Sequence, residues 1–150
     1  MRRIAIIVGL CASLVLSAIA LGAAPINGAT YKGHTKQGLK IKFQVESTGD
    51  YIEHLHYDLI ENCSNGTQNT NAFTSGFGTS YQIADSGKFH GTQKLVASKT
   101  VKSGKVTLKG KFVTSHKATG TLKDTVTFRK SDPNHRGTCS GKTKFTVKTK

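Results

Sequence analysis

Leu39-Lys40-Ile41-Lys42-Phe43-Gln44-Val45-Glu46 alternates apolar and polar side chains without a break, and Ser47-Thr48-Gly49-Asp50 follows as a run of turn formers. A period of two puts Leu39, Ile41, Phe43 and Val45 on one face of an extended chain and Lys40, Lys42, Gln44 and Glu46 on the other, the pattern of a half-buried strand ending in a reversal. The same period recurs along the chain. Leu55, Tyr57, Leu59 and Cys63 share a face, as do Val106, Leu108 and Phe112, then Ala118, Leu122, Val126 and Phe128, and finally Cys139, Thr143, Phe145 and Val147. No helical pattern competes, and nineteen threonines supply a residue suited to a pleated surface.

Strands are expected near 30–35, 38–47, 51–62, 79–85, 88–97, 105–115, 118–129 and 138–149. Their short connections favour antiparallel neighbours, so the expected fold is all-β, an antiparallel β-sandwich or a flattened up-and-down β-barrel of about eight strands. Ser64 to Ser80 is rich in Asn, Thr, Gly and Ser, too polar for a core, and is read as a surface loop. Asp124 conflicts with the pattern, because it shares the inward parity of Leu122 and Val126; a bulge or an edge position would resolve this. Gly87-Lys88-Phe89 recurs as Gly110-Lys111-Phe112, an echo ascribed to repeated hairpin chemistry.

The start of the chain has a different grammar. Met1-Arg2-Arg3 precedes an apolar run from Ile4 to Leu21 and a tail of small residues, the three parts of a secretory signal peptide. Residues 1–24 are assigned to the signal and 25–150 to one secreted domain, with Ala18-Ile19-Ala20 and Leu21-Gly22-Ala23 as candidate cleavage signatures. An uncleaved anchor is the competing reading, since roughly 18 apolar residues can span a bilayer; cleavage leaves no stable membrane span. Cys11 follows Leu10 rather than a small residue, which argues against lipid attachment, and Arg2-Arg3 alone is a weak twin-arginine signal. Removal of the leader takes away Cys11 and leaves Cys63 and Cys139 as one pair in an oxidising compartment, where a disulfide is expected. The net charge falls from +14 to 20 − 8 = +12.

Charge is unevenly placed. From Thr30 to Asp85 four lysines face six acids, whereas from Ser86 to Lys150 sixteen Lys and Arg face two acids. Strand parity points Lys105, Lys109, Lys111, Lys117, Lys123, Arg129, Lys142, Lys144 and Lys148 away from the core, so neighbouring strands would join them into one basic face. Such a face suits a polyanion, and an anionic cell-envelope polymer is the partner it suggests. The alternative is a solvated sheet face that uses lysine, although faces built for solubility usually mix signs. Sequence-specific nucleic-acid binding is disfavoured, because Arg is scarce and lysine lacks bidentate geometry.

His54-x-His56-x-Asp58 would project three ligand-type side chains from one face of a regular strand, enough to begin a metal site but with no fourth ligand in sight. His34, His90, His116 and His135 are isolated in sequence. No Gly-x-Ser-x-Gly elbow or other catalytic motif is present, both cysteines are committed to the expected disulfide, and Asp132-Pro133-Asn134-His135-Arg136-Gly137 reads first as a turn. The chain is therefore expected to be non-enzymatic and to need no cofactor. A small-ligand or carbohydrate-binding module is the alternative, using the 64–80 stretch with Phe73 and Phe77 or a barrel interior, although no Trp is available as a sugar platform. Asn62-Cys63-Ser64 and Asn65-Gly66-Thr67 match glycosylation acceptors.

Thr30-Tyr31-Lys32-Gly33 followed by Gln37-Gly38, then Gly110-Lys111-Phe112 followed by Lys117-Ala118-Thr119-Gly120-Thr121, then a late cysteine before a closing strand, together resemble a type of small secreted bacterial all-β domain of unknown function. The resemblance spans nearly all of residues 25–150. It implies an exported β-fold, and because no activity is assigned to such domains it implies no functional residues.

Overall fold

The computed structural model describes residues 22–74, 81–134 and 136–150. Most of the expected signal segment therefore lies outside the described residues, as do His135 and Phe77. Among the described residues nine strands follow in order: β1 (Thr30–Thr35), β2 (Lys40–Val45), β3 (Tyr51–Cys63), β4 (Gln68–Thr74), β5 (Tyr81–Gln82), β6 (Lys88–Lys94), β7 (Val101–Thr114), β8 (Lys117–Phe128) and β9 (Thr138–Lys148). Every pairing is antiparallel, and the sheet runs β4-β3-β2-β1-β9-β8-β7-β6. Among the described residues no helix is long and apolar enough to cross a membrane.

The sheet closes on itself. β1 and β2 form a short hairpin wedged between β3 and β9, and beyond its tip β3 and β9 pair directly, Asn62 with Ser140 and Cys63 with Cys139, so that β1, β2, β3 and β9 make a small closed ring. The tip turns at Gly38, whose φ of 78° suits a residue without a Cβ. Gln37 at that tip completes the wall: its side-chain amide donates to the carbonyl of Ile60 and accepts from the Ile60 N–H, both at 3.1 Å, as a backbone peptide would. At the opposite end of β3, β5 pairs with Tyr51 and Ile52 and reaches β6 through an Ile83–Phe89 bridge.

Alternation delivers the core. Tyr31, Ile41, Phe43, Val45, Leu55, Tyr57, Leu59, Leu108, Phe112, Leu122 and Val147 are all buried in one cluster, and Tyr31, Phe43, Phe89 and Phe112 pack ring against ring at centroid distances of 5.2–6.4 Å. Gly110 and Gly120 are cross-strand partners in the middle of β7 and β8, where a Cβ would collide with the rings of Phe89 and Phe145. The two copies of the Gly-Lys-Phe echo face each other across the β6–β7 hairpin, Lys88 opposite Lys111 and Phe89 opposite Gly110. A second, smaller cluster of Val126, Phe128 and the Cys63–Cys139 disulfide lies at the far end. That bond joins residues 76 apart in sequence, for which loop closure alone gives about 4 kcal/mol of stabilisation.

Two expectations are corrected. Residues 68–74, read as part of a loop, form β4, which pairs with β3 over seven residues from Gln68–Asn62 to Thr74–His56. Its inward positions are Asn69, Asn71 and Phe73, and the first two face buried carboxylates rather than a hydrocarbon core, so the strand lacks the apolar stripe that would announce it. Asp124 sits neither at a bulge nor at an edge: it pairs regularly with Val106 and Gly141 in the middle of β8, fully buried, and is held there by hydrogen bonds.

Candidate functional site

Six strands, β6-β7-β8-β9-β1-β2, present one continuous outer face. Their only carboxylate is Asp124, which points inward, so no outward position among them carries negative charge. The register then sets lysine directly against lysine: Lys88 with Lys111, Lys94 with Lys105, Lys123 with Lys142, Lys117 with Lys148, Lys148 with Lys32, and Lys32 with Lys42. The last three pairs are consecutive, and Lys42 in turn faces His56, so Lys117, Lys148, Lys32, Lys42 and His56 form one row across five strands. With neighbouring strands roughly 4.8 Å apart, that row spans on the order of 19 Å. Like charges placed directly opposite each other destabilise a sheet, and among the described residues none of these lysines is in an ion pair.

The lysines expected on this face are found there: Lys105, Lys109, Lys111, Lys123, Lys142, Lys144 and Lys148 are exposed and Lys117 is half-buried. Arg129 is displaced from it. It lies just past the end of β8, where its Nε donates to the carbonyl of Ser98 at 3.0 Å and its backbone N–H to Thr100, clamping the connection between β6 and β7. Lys32, Lys40, Lys42, Lys88 and Lys94 complete the face and were not among the residues singled out from the sequence. The first three belong to the acidic half of the chain and join the basic half only because β1 pairs with β9, a contact that no local pattern announces. Between the lysines lie shallow concavities, one of about 470 Å³ lined by His34, Lys36, Thr121, Lys144 and Thr146, another of about 450 Å³ by Lys32, His34, Lys40, Lys42 and His56.

The His54, His56 and Asp58 trio does not assemble. The β2–β3 register shifts between Lys42–His56 and Gln44–Glu53, and His54 adopts a φ of 49°, so a bulge breaks the alternation that would have aligned the three side chains. His56 instead hydrogen-bonds Thr74 Oγ1 at 2.7 Å. Among the described residues no group of three or more His, Cys, Asp or Glu is arranged to hold a metal ion.

A second charged region lies inside the barrel. On β3, Glu61 separates Leu59 from Cys63; on β8, Asp124 separates Leu122 from Val126; thus a polar layer divides the large apolar cluster from the small one. Tyr57 Oη and Asn71 Nδ2 both donate to Asp124 Oδ2 at 2.6 Å, and Asn69 Nδ2 donates to Glu61 Oε2 at 3.1 Å. Arg136 extends the layer: it donates to Asn69 Oδ1 at 2.9 Å, forks onto Asp132 at 2.8 and 3.1 Å, and stacks 3.8 Å above the Phe128 ring. Burial pushes the Glu61 carboxyl up to about 7 and raises Asp124, while the Arg136 hydrogen bonds hold Asp132 down at about 2. Burial, reinforced by Asp124, also raises Tyr57, and Tyr81 is pushed up to about 12. Asp124 Oδ1 and Glu61 Oε1 are buried without a hydrogen-bond partner. The inward parity of Asp124 is a sequence signal of this layer, and Glu61 carries the same signal, since it shares the parity of Leu59 and Cys63.

No known family model matches the chain, and no characterised protein is significantly similar to it.

Proposed function

We propose that this protein is a non-enzymatic extracellular domain that binds anionic polymers of the cell envelope through the lysine face of β6-β7-β8-β9-β1-β2. The six direct Lys–Lys pairs on a face without a carboxylate carry this reading. A solubility surface does not need lysine opposite lysine, which opposes folding; a polyanion lying across the strands turns the same repulsion into binding energy by replacing the counterions. Export is supported by the tripartite leader and is compatible with the disulfide. Threonines between the lysines, such as Thr119, Thr121 and Thr146, add hydroxyl donors for phosphate or sulfate oxygens without competing charge.

Retention on immobilised poly(glycerol phosphate) and on heparin tests the proposal. Binding should be strong at low ionic strength, collapse as salt rises, and weaken when Lys105, Lys109 and Lys111 become Gln. Absence of retention on both matrices at low ionic strength would refute it.

A further inference from the structure

One outward position along from the Lys117–Lys148–Lys32–Lys42–His56 row, the register sets a row of different make-up: Lys111, Thr119, Thr146, His34 and Lys40. The row beyond that is Lys109, Thr121, Lys144 and Lys36, the last joined through its backbone N–H to the Lys144 carbonyl at 2.8 Å. The short side chains at the middle of the second row, set between longer lysines, leave a trough. Three shallow concavities follow it. One of about 430 Å³ is lined by Lys36, Thr121, Lys142 and Lys144; the one of about 470 Å³ shares Lys36, Thr121 and Lys144 with it. The third, of about 450 Å³, joins through His34 and continues past Lys32 and Lys42 to His56. From Lys142 to His56 the track crosses three strand steps and three outward positions, on the order of 25 Å. Among the described residues no carboxylate lines any of the three. The threonines along it differ from those elsewhere. Thr92 and Thr107, and Thr127 and Thr138, stand opposite each other on neighbouring strands, and their hydroxyls bond at 2.9 and 3.2 Å. Thr119 and Thr146 are also directly opposite, yet among the described residues their hydroxyls bond neither each other nor any other protein group, and the same holds for Thr121.

We propose that this trough seats a single open-chain phosphodiester polymer, its phosphates met by lysines of the track and by the hydroxyls of Thr119, Thr121 and Thr146. The site rests on the polyanion reading and narrows it, from a whole face to one track and from polyanions at large to a chain whose linkers carry no rings. Open hydroxyls donate to phosphate oxygens, and lysine ammonium groups on flexible stems follow a chain as point charges, without the planar fork of arginine. Rings gain little here. Phe145 is buried and His56 is tied to Thr74 Oγ1, which leaves the small His34 imidazole for stacking, whereas single-stranded nucleic acids are held on aromatic platforms. Lys105 and Lys123 line none of the three concavities, so they attract the chain without seating it.

The test measures binding of glycerol phosphate oligomers and thymidine oligonucleotides that carry equal numbers of phosphates, at one low ionic strength. The glycerol phosphate chain should bind about fivefold tighter or more, the worth of one or two added hydrogen bonds. Lys36→Gln with Lys144→Gln should lower its affinity about tenfold or more. Lys105→Gln with Lys123→Gln removes the same charge and should lower it less than about threefold, as screened attraction alone would. Thr121→Val with Thr146→Val keeps the charge and suits a strand; it should cost about fivefold while leaving the salt dependence unchanged. Equal losses from the two lysine pairs, no loss from the valine pair, or equal affinity for the two chains would each overturn the track and leave binding by the face standing. Absence of binding by either chain would sink the polyanion reading itself. The two lysine pairs, exposed on the surface, decide the matter if the valine variant fails to fold.

Discussion

Lys123 and Asp124 are neighbours in the chain and opposites in circumstance. Lys123 stands in water facing Lys142, on a surface that carries one sign of charge; Asp124 is fully buried and leans on Tyr57 and Asn71. On the outside, water and salt screen the repulsion between lysines to tenths of a kcal/mol per pair. On the inside, where screening is weak, the charge itself is what yields: burial drives Glu61 and Asp124 toward their neutral forms. The same β-wall thus exposes its outer basic groups to screening water and suppresses the charge of its inner carboxyls. This is why a basic surface and an acidic interior can coexist a single residue apart.

The largest expected effect comes from the disulfide that ties off the small cluster beyond the carboxylate layer. Replacing both Cys63 and Cys139 with Ala should cost about 4 kcal/mol in urea unfolding and leave polyanion binding by the surviving folded protein intact, since the lysine face lies on other positions of the wall. Next comes pH. Burial pushes the Glu61 carboxyl up to about 7 in the folded protein against 4.5 as its ordinary value, so the folded state holds its proton more tightly and the contribution of this group to stability is fully present only below about pH 4.5. Stability should fall as pH rises from 4.5 to about 7, by on the order of 2 kcal/mol, and Glu61→Gln should flatten that decline. Tyr57→Phe follows, removing a donor from Asp124 at a cost of about 1–2 kcal/mol. The smallest effect has the opposite sign: Lys32→Glu, placed between Lys42 and Lys148, should stabilise the fold by about 0.2–1 kcal/mol while weakening polyanion binding. A destabilising Lys32→Glu would remove the claim that the face is built against its own folding.

How far the sequence carried these two regions differs for a physical reason. The outer face and the core follow from alternation, so Ile41, Phe43, Leu108 and Leu122 are buried, and Lys105, Lys109 and Lys111 exposed, as the period of two requires. The disulfide follows from pairing two inward cysteines, and both are buried. What alternation could not supply is which strands touch. Lys32 and Lys42 enter the basic row through the β1–β9 pairing, a contact between the two ends of the domain. The interior layer was hidden for a related reason: Asn69 and Asn71 look like loop residues until Glu61 and Asp124 are seen opposite them. The His54 bulge defeated the opposite inference, since alternation aligned ligands that the backbone separates.

The salt dependence of binding to a single-stranded thymidine oligonucleotide, used as a generic polyanion, tests the central claim most directly. The logarithm of the association constant should fall steeply and linearly with the logarithm of salt concentration, and the Lys32→Gln, Lys42→Gln, Lys148→Gln triple variant should show a slope shallower by about 2. A slope that is flat in the unmodified protein, or unchanged in the triple variant, would contradict the assignment of this face to polyanions.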